Sequence, residues 1–349
     1  MEKFTFFLLV LMGLLGVFWG LGGFNQSTPL PSSGLFASAL AMVETDWNSG
    51  WGSFLISFDN FNNFHQVTLE KEEAVKVFDV WGKDKSNLIY LATDKGIFFS
   101  QDGGLTWNRF VSSNNEINEH SVVFRILPAS QNEEDYFVSV YDGQKGKVYR
   151  TYDYFFNLEK LVDFDKEAVY DFYRLGDYLY LALSNGQLIR FNLKTQEAKL
   201  VNSFASPILR IFRSPNGYFY LLFKSGNLGR GVNLEKEFQK IELPSGNFLF
   251  AQGGVKKMAL DEWGTLYLLS KDGLYLSFDD GLSFKLLKSL PLKGTIDAFG
   301  VKEGKIYVVV KNKLYISQDG GNNWKIKEVA GDFPIRSLFF VNQRVILSR

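Results

Sequence analysis

Cysteine is absent from the 349 residues. Its absence excludes disulfides, thiolate metal sites, a cysteine nucleophile and a lipid-modified cysteine. Histidine occurs only as His65 and His120, too few for a histidine-rich metal site. No metal or cofactor is expected. An excess of charge of either sign is also missing, because 38 Lys and Arg balance 38 Asp and Glu. No overall field therefore draws the chain to nucleic acid or anionic lipid. What the chain has is aromatic mass, with 34 Phe, 16 Tyr and 7 Trp, enough apolar material for stacked sheets with wide inner faces.

Residues 4–24, FTFFLLVLMGLLGVFWGLGGF, carry no charge and follow Lys3. As a helix they would extend about 30 Å, enough to cross a bilayer. A cleaved signal would have a shorter apolar stretch and a nearby small-residue site, whereas Ala39-Leu40-Ala41 lies well downstream. The reading is therefore an uncleaved signal anchor over residues 1–24, with a cleaved signal peptide as the alternative. Residues 25–52 form a polar linker and lead-in, opening with NQSTPLPSSG. The remainder, residues 53–349, is exported to the cell envelope, or secreted if the segment is cut.

Beyond the linker, helical periodicity is lacking and short β-type runs alternate with turn signals. The turns repeat. Ser100, Asp102, Gly104, Thr106 and Trp107 recur as Ser277, Asp279, Gly281, Ser283 and Phe284, and again as Ser317, Asp319, Gly321, Asn323 and Trp324. Weaker copies run from Ser57, Asp59, Asn63 and Phe64 and from Thr151, Asp153, Asn157 and Leu158, with Phe61 and Phe155 at the glycine position. Two further copies, at residues 190–198 and at Gly231, Asn233, Glu235 and Phe238, are nearly erased. The spacing of about 39–51 residues is that of a four-stranded propeller blade. An inner hairpin lies between successive turns, giving seven of each kind. The chain opens on an outer hairpin (residues 53–69) and closes on an inner one (residues 335–349), so both ends must share one sheet. The expected fold is an all-β, seven-bladed β-propeller of four-stranded blades with N- and C-terminal strands sharing the closing blade, preceded by an N-terminal membrane helix.

In S-x-D-x-G-x-T-W the carboxylate accepts N–H bonds within its own turn, glycine supplies positive φ, hydroxyls satisfy further groups and the aromatic packs beneath the hairpin. No substrate is needed. These residues resemble the Asp box, or BNR repeat, of sialidases, sortilin-type receptor propellers and photosystem II assembly and stability factors. The resemblance covers residues 53–349. It implies a structural role away from the binding face for Asp102, Asp279 and Asp319, and an assembly or protein-binding role for the whole. Bacterial assembly factors of this kind often carry a lipidation cysteine after the signal, where this chain has Gly22-Gly23.

A sialidase-like enzyme would need an arginine cluster, a Tyr/Glu nucleophile pair and a general acid around the channel. FRILP at residues 124–128 has an inserted Leu127 and follows the second turn motif. Arg125 reads as an ordinary strand residue, and among the 11 arginines of the chain no two others form a recognisable set. KSGNLGRG at residues 224–231 lacks phosphate-loop spacing and reads as a hairpin turn. The chain is thus read as a non-enzyme: an exported, membrane-tethered propeller that binds a protein partner. The alternative is a carbohydrate-binding or sialidase-like glycoside hydrolase propeller. The turns opposite the S-x-D motifs carry Lys95, Lys145, Lys147, Lys224, Lys271, Lys311 and Lys313. They give a slightly basic ring that is the candidate partner face.

Overall fold

The computed structural model describes residues 39–43, 53–57, 65–69, 75–82, 87–130, 134–241, 258–270, 273–288, 296–311, 313–328 and 335–339. The expected membrane segment and the first part of the linker lie outside them. Among the described residues, no helix is long and apolar enough to cross a membrane.

The N-terminal strands are β1 (Ala39–Val43), β2 (Ser53–Ser57) and β3 (His65–Thr68). Six antiparallel sheets of four consecutive strands follow. Blade 1 is β4 (Val77–Gly82), β5 (Ile89–Thr93), β6 (Gly96–Ser100) and β7 (Asn108–Phe110). Blade 2 is β8 (Val122–Pro128), β9 (Tyr136–Tyr141), β10 (Lys145–Thr151) and β11 (Glu159–Asp165). Blade 3 is β12 (Val169–Leu175), β13 (Tyr178–Leu183), β14 (Gln187–Asn192) and β15 (Ala198–Ser203). Blade 4 is β16 (Ile208–Arg213), β17 (Phe219–Phe223), β18 (Leu228–Gly231) and β19 (Gln239–Lys240). Blade 5 is β20 (Met258–Leu260), β21 (Leu266–Ser270), β22 (Gly273–Ser277) and β23 (Lys285–Leu286). Blade 6 is β24 (Ala298–Lys302), β25 (Lys305–Val310), β26 (Lys313–Ser317) and β27 (Lys325–Glu328). A further four-stranded sheet adds β28 (Ile335–Phe339) to the N-terminal strands in the order β28-β1-β2-β3.

The architecture is a β-propeller, and its burial pattern explains the sequence. Second strands such as YLYLAL at Tyr178–Leu183 and FYLLF at Phe219–Phe223 are almost wholly buried. Both faces of each sheet are covered by neighbouring blades, so these strands read as continuous apolar runs rather than alternating ones. Fourth strands such as AKLVNS at Ala198–Ser203 and KIKE at Lys325–Glu328 lie at the rim and are exposed. The core is accordingly a series of layers between blades. Tyr90, Tyr136, Val138 and Phe155 join blades 1 and 2, and Tyr180, Ile211, Leu221 and Leu234 join blades 3 and 4.

The sheet shared by the two chain ends departs from the expected two-plus-two composition. It takes three strands from the N-terminal side and one from the C-terminal side. Ala39–Val43, which sequence reading put in the lead-in before the propeller, pairs with β28 on one side and β2 on the other. ALAMV is a short run rich in small residues with no turn signal of its own, and it became a strand because two partners flank it. The stretch RVILSR at residues 344–349 lies outside the described residues.

Candidate functional site

The first strands of blades 1 to 4 share an irregularity. Pairing shifts between Val77 and Asp79, between Val123 and Arg125, between Val169 and Asp171, and between Ile208 and Arg210. Such a bulge re-aims the side chains around it. The displaced residues Phe78, Phe124 and Tyr170 pack ring to ring, with centroids 5.1 and 5.2 Å apart. The residues that follow alternate in charge, Asp79, Arg125, Asp171 and Arg210, and all four are buried.

These four side chains form a neutral circuit across the four blades. Arg125 Nη1 donates to Asp79 Oδ1 at 3.0 Å. Arg125 Nε stands 3.0 Å from Asp171 Oδ1, a charge contact without hydrogen-bond alignment. Each carboxylate also accepts a backbone N–H from the next blade: Ile126 to Asp79 Oδ2 at 3.2 Å, and Ile211 to Asp171 Oδ2 at 2.7 Å. Arg210 supplies the complementary function. It donates to the carbonyls of Phe78 at 2.5 Å, Tyr170 at 3.2 Å and Leu209 at 3.1 Å. The inner edge of a first strand has no neighbouring strand, so its N–H and C=O groups need other partners. Aspartate meets the donors and arginine the acceptors. Burial pushes the Asp79 carboxyl above its ordinary range, against the opposing pull of Arg125 and Arg210. Burial lowers the Arg210 pKa; it works the same way on Arg125, where Asp79 and Asp171 outweigh it and the net shift is upward. Arg125 is therefore part of a set, not the isolated strand residue that sequence reading took it for.

The S-x-D turns have one geometry. Ser100 Oγ donates to Asp102 Oδ1 at 2.7 Å and accepts the Gly104 N–H at 2.6 Å. Asp102 accepts the Thr106 N–H at 2.9 Å and its hydroxyl at 2.6 Å. The same bonds join Ser277, Asp279, Gly281 and Ser283, then Ser317, Asp319, Gly321 and Asn323, then Thr151, Asp153, Phe155 and Asn157. Hydrogen bonds from Asn323 and Ser317 hold Asp319 down at about 2. Asp279 is also held at about 2: burial acts upward, but Ser283 and Ser277 prevail. Trp107 is buried, Phe284 packs on the layer between blades 4 and 5, and Trp324 Nε1 donates to the Gly321 carbonyl at 3.0 Å. Ser57 ends β2, while Asp59 lies outside the described residues.

Where glycine gives way to Phe155, the backbone still adopts φ +73°, and the ring is buried between Tyr90 and Tyr136. The turns of blades 4 and 5 also tie each of these blades to the one before it. Glu235 accepts from Tyr180 at 2.6 Å and Arg190 at 2.9 Å, and Asp280 accepts from Asn216 at 3.1 Å and Tyr220 at 3.2 Å. The nearly erased copy at residues 231–238 thus keeps a stapling role with different chemistry.

Three of the seven lysines of the basic ring on the other face are paired with carboxylates. Lys147 sits between Glu116 at 2.7 Å and Asp142 at 3.0 Å, Lys145 pairs with Asp165 at 2.7 Å, and Lys313 pairs with Glu328 at 3.2 Å. Lys224 and Lys311 are exposed, Lys95 is half-buried, and Lys271 lies outside the described residues. On the same face a cleft of about 210 Å³ opens between blades 3 and 4, walled by Phe204, Phe223 and Phe238 and rimmed by Ala205, Ser206 and Asn227. A smaller cavity of about 120 Å³ lies beside Asp79, Trp81, Arg125 and Pro128.

Among the described residues no cluster of acidic and histidine side chains could hold a metal ion. The circuit's ionised atoms face one another and backbone groups, which suits it to holding blades together rather than to proton transfer. Sequence reasoning missed Asp79, Asp171 and Arg210. Their signal was an alternation of Asp and Arg at one position of four successive repeats, FDV, FRI, YDF and LRI, visible once the blades are aligned on their first strands.

No family profile matches the chain, and no curated protein matches it. Solved structures of similar shape include YCF48 bound to D1 peptide, with a TM-score of 0.53 and 14% identity over 88% of this chain and 95% of that one. YCF48 from Cyanidioschyzon merolae gives a TM-score of 0.53 and 13% identity, over 72% and 85%. A putative 6-phosphogluconolactonase from Bacteroides fragilis also gives 0.53 and 13%, over 90% and 100%. At these identities the likeness is one of fold.

Proposed function

We propose that the chain is an exported, membrane-tethered propeller that acts as a protein-interaction or assembly module and performs no catalysis. In this reading the sheet shared by the chain ends closes the ring as a seventh blade, and the S-x-D turns are Asp boxes serving as structural staples. The observation that carries the reading is the apolar cleft of Phe204, Phe223 and Phe238, on the face opposite those turns. It suits one apolar side chain of an extended peptide, with Lys224 exposed close by. Similarity in fold to YCF48 bound to D1 peptide supports a peptide segment as the class of partner. The glycoside-cleaving alternative needs a free arginine for a sugar carboxylate, and Arg125 is already engaged by Asp79 and Asp171. Retention of the N-terminal segment has its own support: cleavage within Ala39-Leu40-Ala41 would cut into β1.

The test is crosslinking mass spectrometry on the full-length protein from native membranes. Links from Lys224 and Lys311 to one membrane protein are expected. They should vanish in Ala205→Trp, which fills the cleft from its exposed rim, while the thermal midpoint is unchanged. Scattered links that ignore Ala205→Trp would move the reading to a glycan-binding or purely structural propeller.

A further inference from the structure

Among the described residues, seven of the ten exposed large apolar side chains lie in or at the edge of turns on a single face, the one that carries the S-x-D motifs. Leu175 and Trp263 stand where first strands turn into second strands. Tyr152, Phe156, Val232, Phe278 and Leu282 stand where third strands turn into fourth. Both kinds of turn fall at the same end of every blade, because successive strands reverse direction. Blade 5 presents the boldest group, with Trp263, Phe278 and Leu282 exposed by 65%, 72% and 71%. Isolated surface apolar residues are ordinary, but bulky ones concentrated at turn tips on one face are not.

A second observation comes from the path of the chain. Ala39, the first residue of β1, pairs with Ser57, the last residue of β2. Ser57 occupies the position of Ser100, Ser277 and Ser317, at the S-x-D end of its strand. The chain therefore enters the propeller from this same face, fourteen residues after the apolar run of residues 4–24. Fourteen residues reach roughly 20 Å as a flexible coil and no more than about 50 Å when extended.

We infer that the S-x-D face rests on the lipid bilayer, with the apolar turn tips of blade 5 inserted at its interface. This rests on reading residues 4–24 as a membrane segment. A short tether holds this face near the surface, and Trp, Phe and Leu are side chains that partition into the interfacial region. Acidic residues such as Glu262, Asp280 and Glu303 lie among the same turns. Attraction to anionic headgroups is therefore not the driving force, and a zwitterionic bilayer suffices. The opposite face, with its cleft, is left pointing away from the membrane.

The chain's lack of cysteine makes a direct test possible. Phe278→Cys, Leu282→Cys, Lys224→Cys and Lys311→Cys, each with one nitroxide label, are placed in the full-length protein and reconstituted in phosphatidylcholine vesicles. Flotation with the vesicles reports the tether. Collision with oxygen against a water-soluble nickel chelate reports depth. Labels at 278 and 282 should favour oxygen several-fold and those at 224 and 311 should favour nickel, unchanged when phosphatidylglycerol is added. Flotation with aqueous labels at 278 and 282 overturns the docking while leaving the tether standing. Failure to float removes both. Labels that are aqueous in vesicles but shielded in native membranes would assign the turn tips to a protein partner and overturn the bilayer contact.

Discussion

Arg125→Met probes the buried circuit most sharply. The substitution keeps side-chain bulk but leaves Asp79 and Asp171 with Arg210 as their only cation, so four buried groups that summed to zero now carry one net negative charge. Removing one partner of a buried ion pair costs about 3–5 kcal/mol. For a propeller this size that amounts to a fall of roughly 6–10 °C in thermal midpoint, at about 2 °C per kcal/mol. The pH dependence separates a charge effect from a packing defect. Burial already raises the Asp79 carboxyl, and losing Arg125 raises it further. A group with a raised folded-state pKa is fully stabilising below its unfolded value, near 3.8, and loses that contribution as pH rises through the folded value. The gap between variant and parent should therefore be wider at pH 7 than at pH 5. Adding Asp79→Asn, which restores neutrality, should recover a good part of the loss. Scanning fluorimetry of the full-length protein in mild detergent measures all three. A variant within 1 °C of the parent at pH 7, or a gap that widens on acidification, would refute the circuit as a stabilising device.

Asp279→Ala removes a carboxylate held at about 2 by Ser283 and Ser277. At this exposed turn a loss of about 1 kcal/mol is expected, after discounting for solvent screening. Because the folded pKa is lowered, that contribution is present above the unfolded value and is lost as pH falls through about 2, so denaturant midpoints of parent and variant should converge in strong acid. Phe155→Ala should cost about 3–5 kcal/mol through the layer between blades 1 and 2. Phe155→Gly should be no worse despite removing one more carbon, because φ at this position is +73°; a clearly worse glycine variant would refute the backbone argument. Gly321→Ala places a Cβ 2.6 Å from Leu287 Cδ1 at φ +91°, and urea titration should show a loss of at least about 1 kcal/mol.

The blades could be read from the sequence because their turns carry their own chemistry. Ser100, Asp102, Gly104 and Thr106 satisfy one another within seven residues, so the pattern survives in the one-letter code. The inner strands announced themselves as apolar runs for the same reason, each being buried on both faces. The circuit was harder to see. Asp79 and Arg125 acquire meaning only when β4 and β8 lie side by side, and a lone charge in a strand otherwise reads as a solvent-facing position. The pairing of Lys147 was hidden for a related reason, since the carboxylates of Glu116 and Asp142 that neutralise it come from separate loops. Ala39–Val43 went unrecognised because its neighbour β28 is supplied from the far end of the chain.

That pairing sets a schedule for biosynthesis. Leu40 lies opposite Phe339, so β1 acquires its outer neighbour β2 almost at once but waits for β28 until about 300 more residues have been made. At roughly 5–20 residues per second the delay is on the order of 15–60 s. Throughout it one side of β1 remains an unpaired strand edge, able to recruit any extended segment. A chain interrupted before residue 335 would keep that edge permanently, and full-length molecules emerging together could exchange C-terminal strands. The first vulnerability of this protein is thus temporal: a growing chain must guard an open seam until β28 arrives.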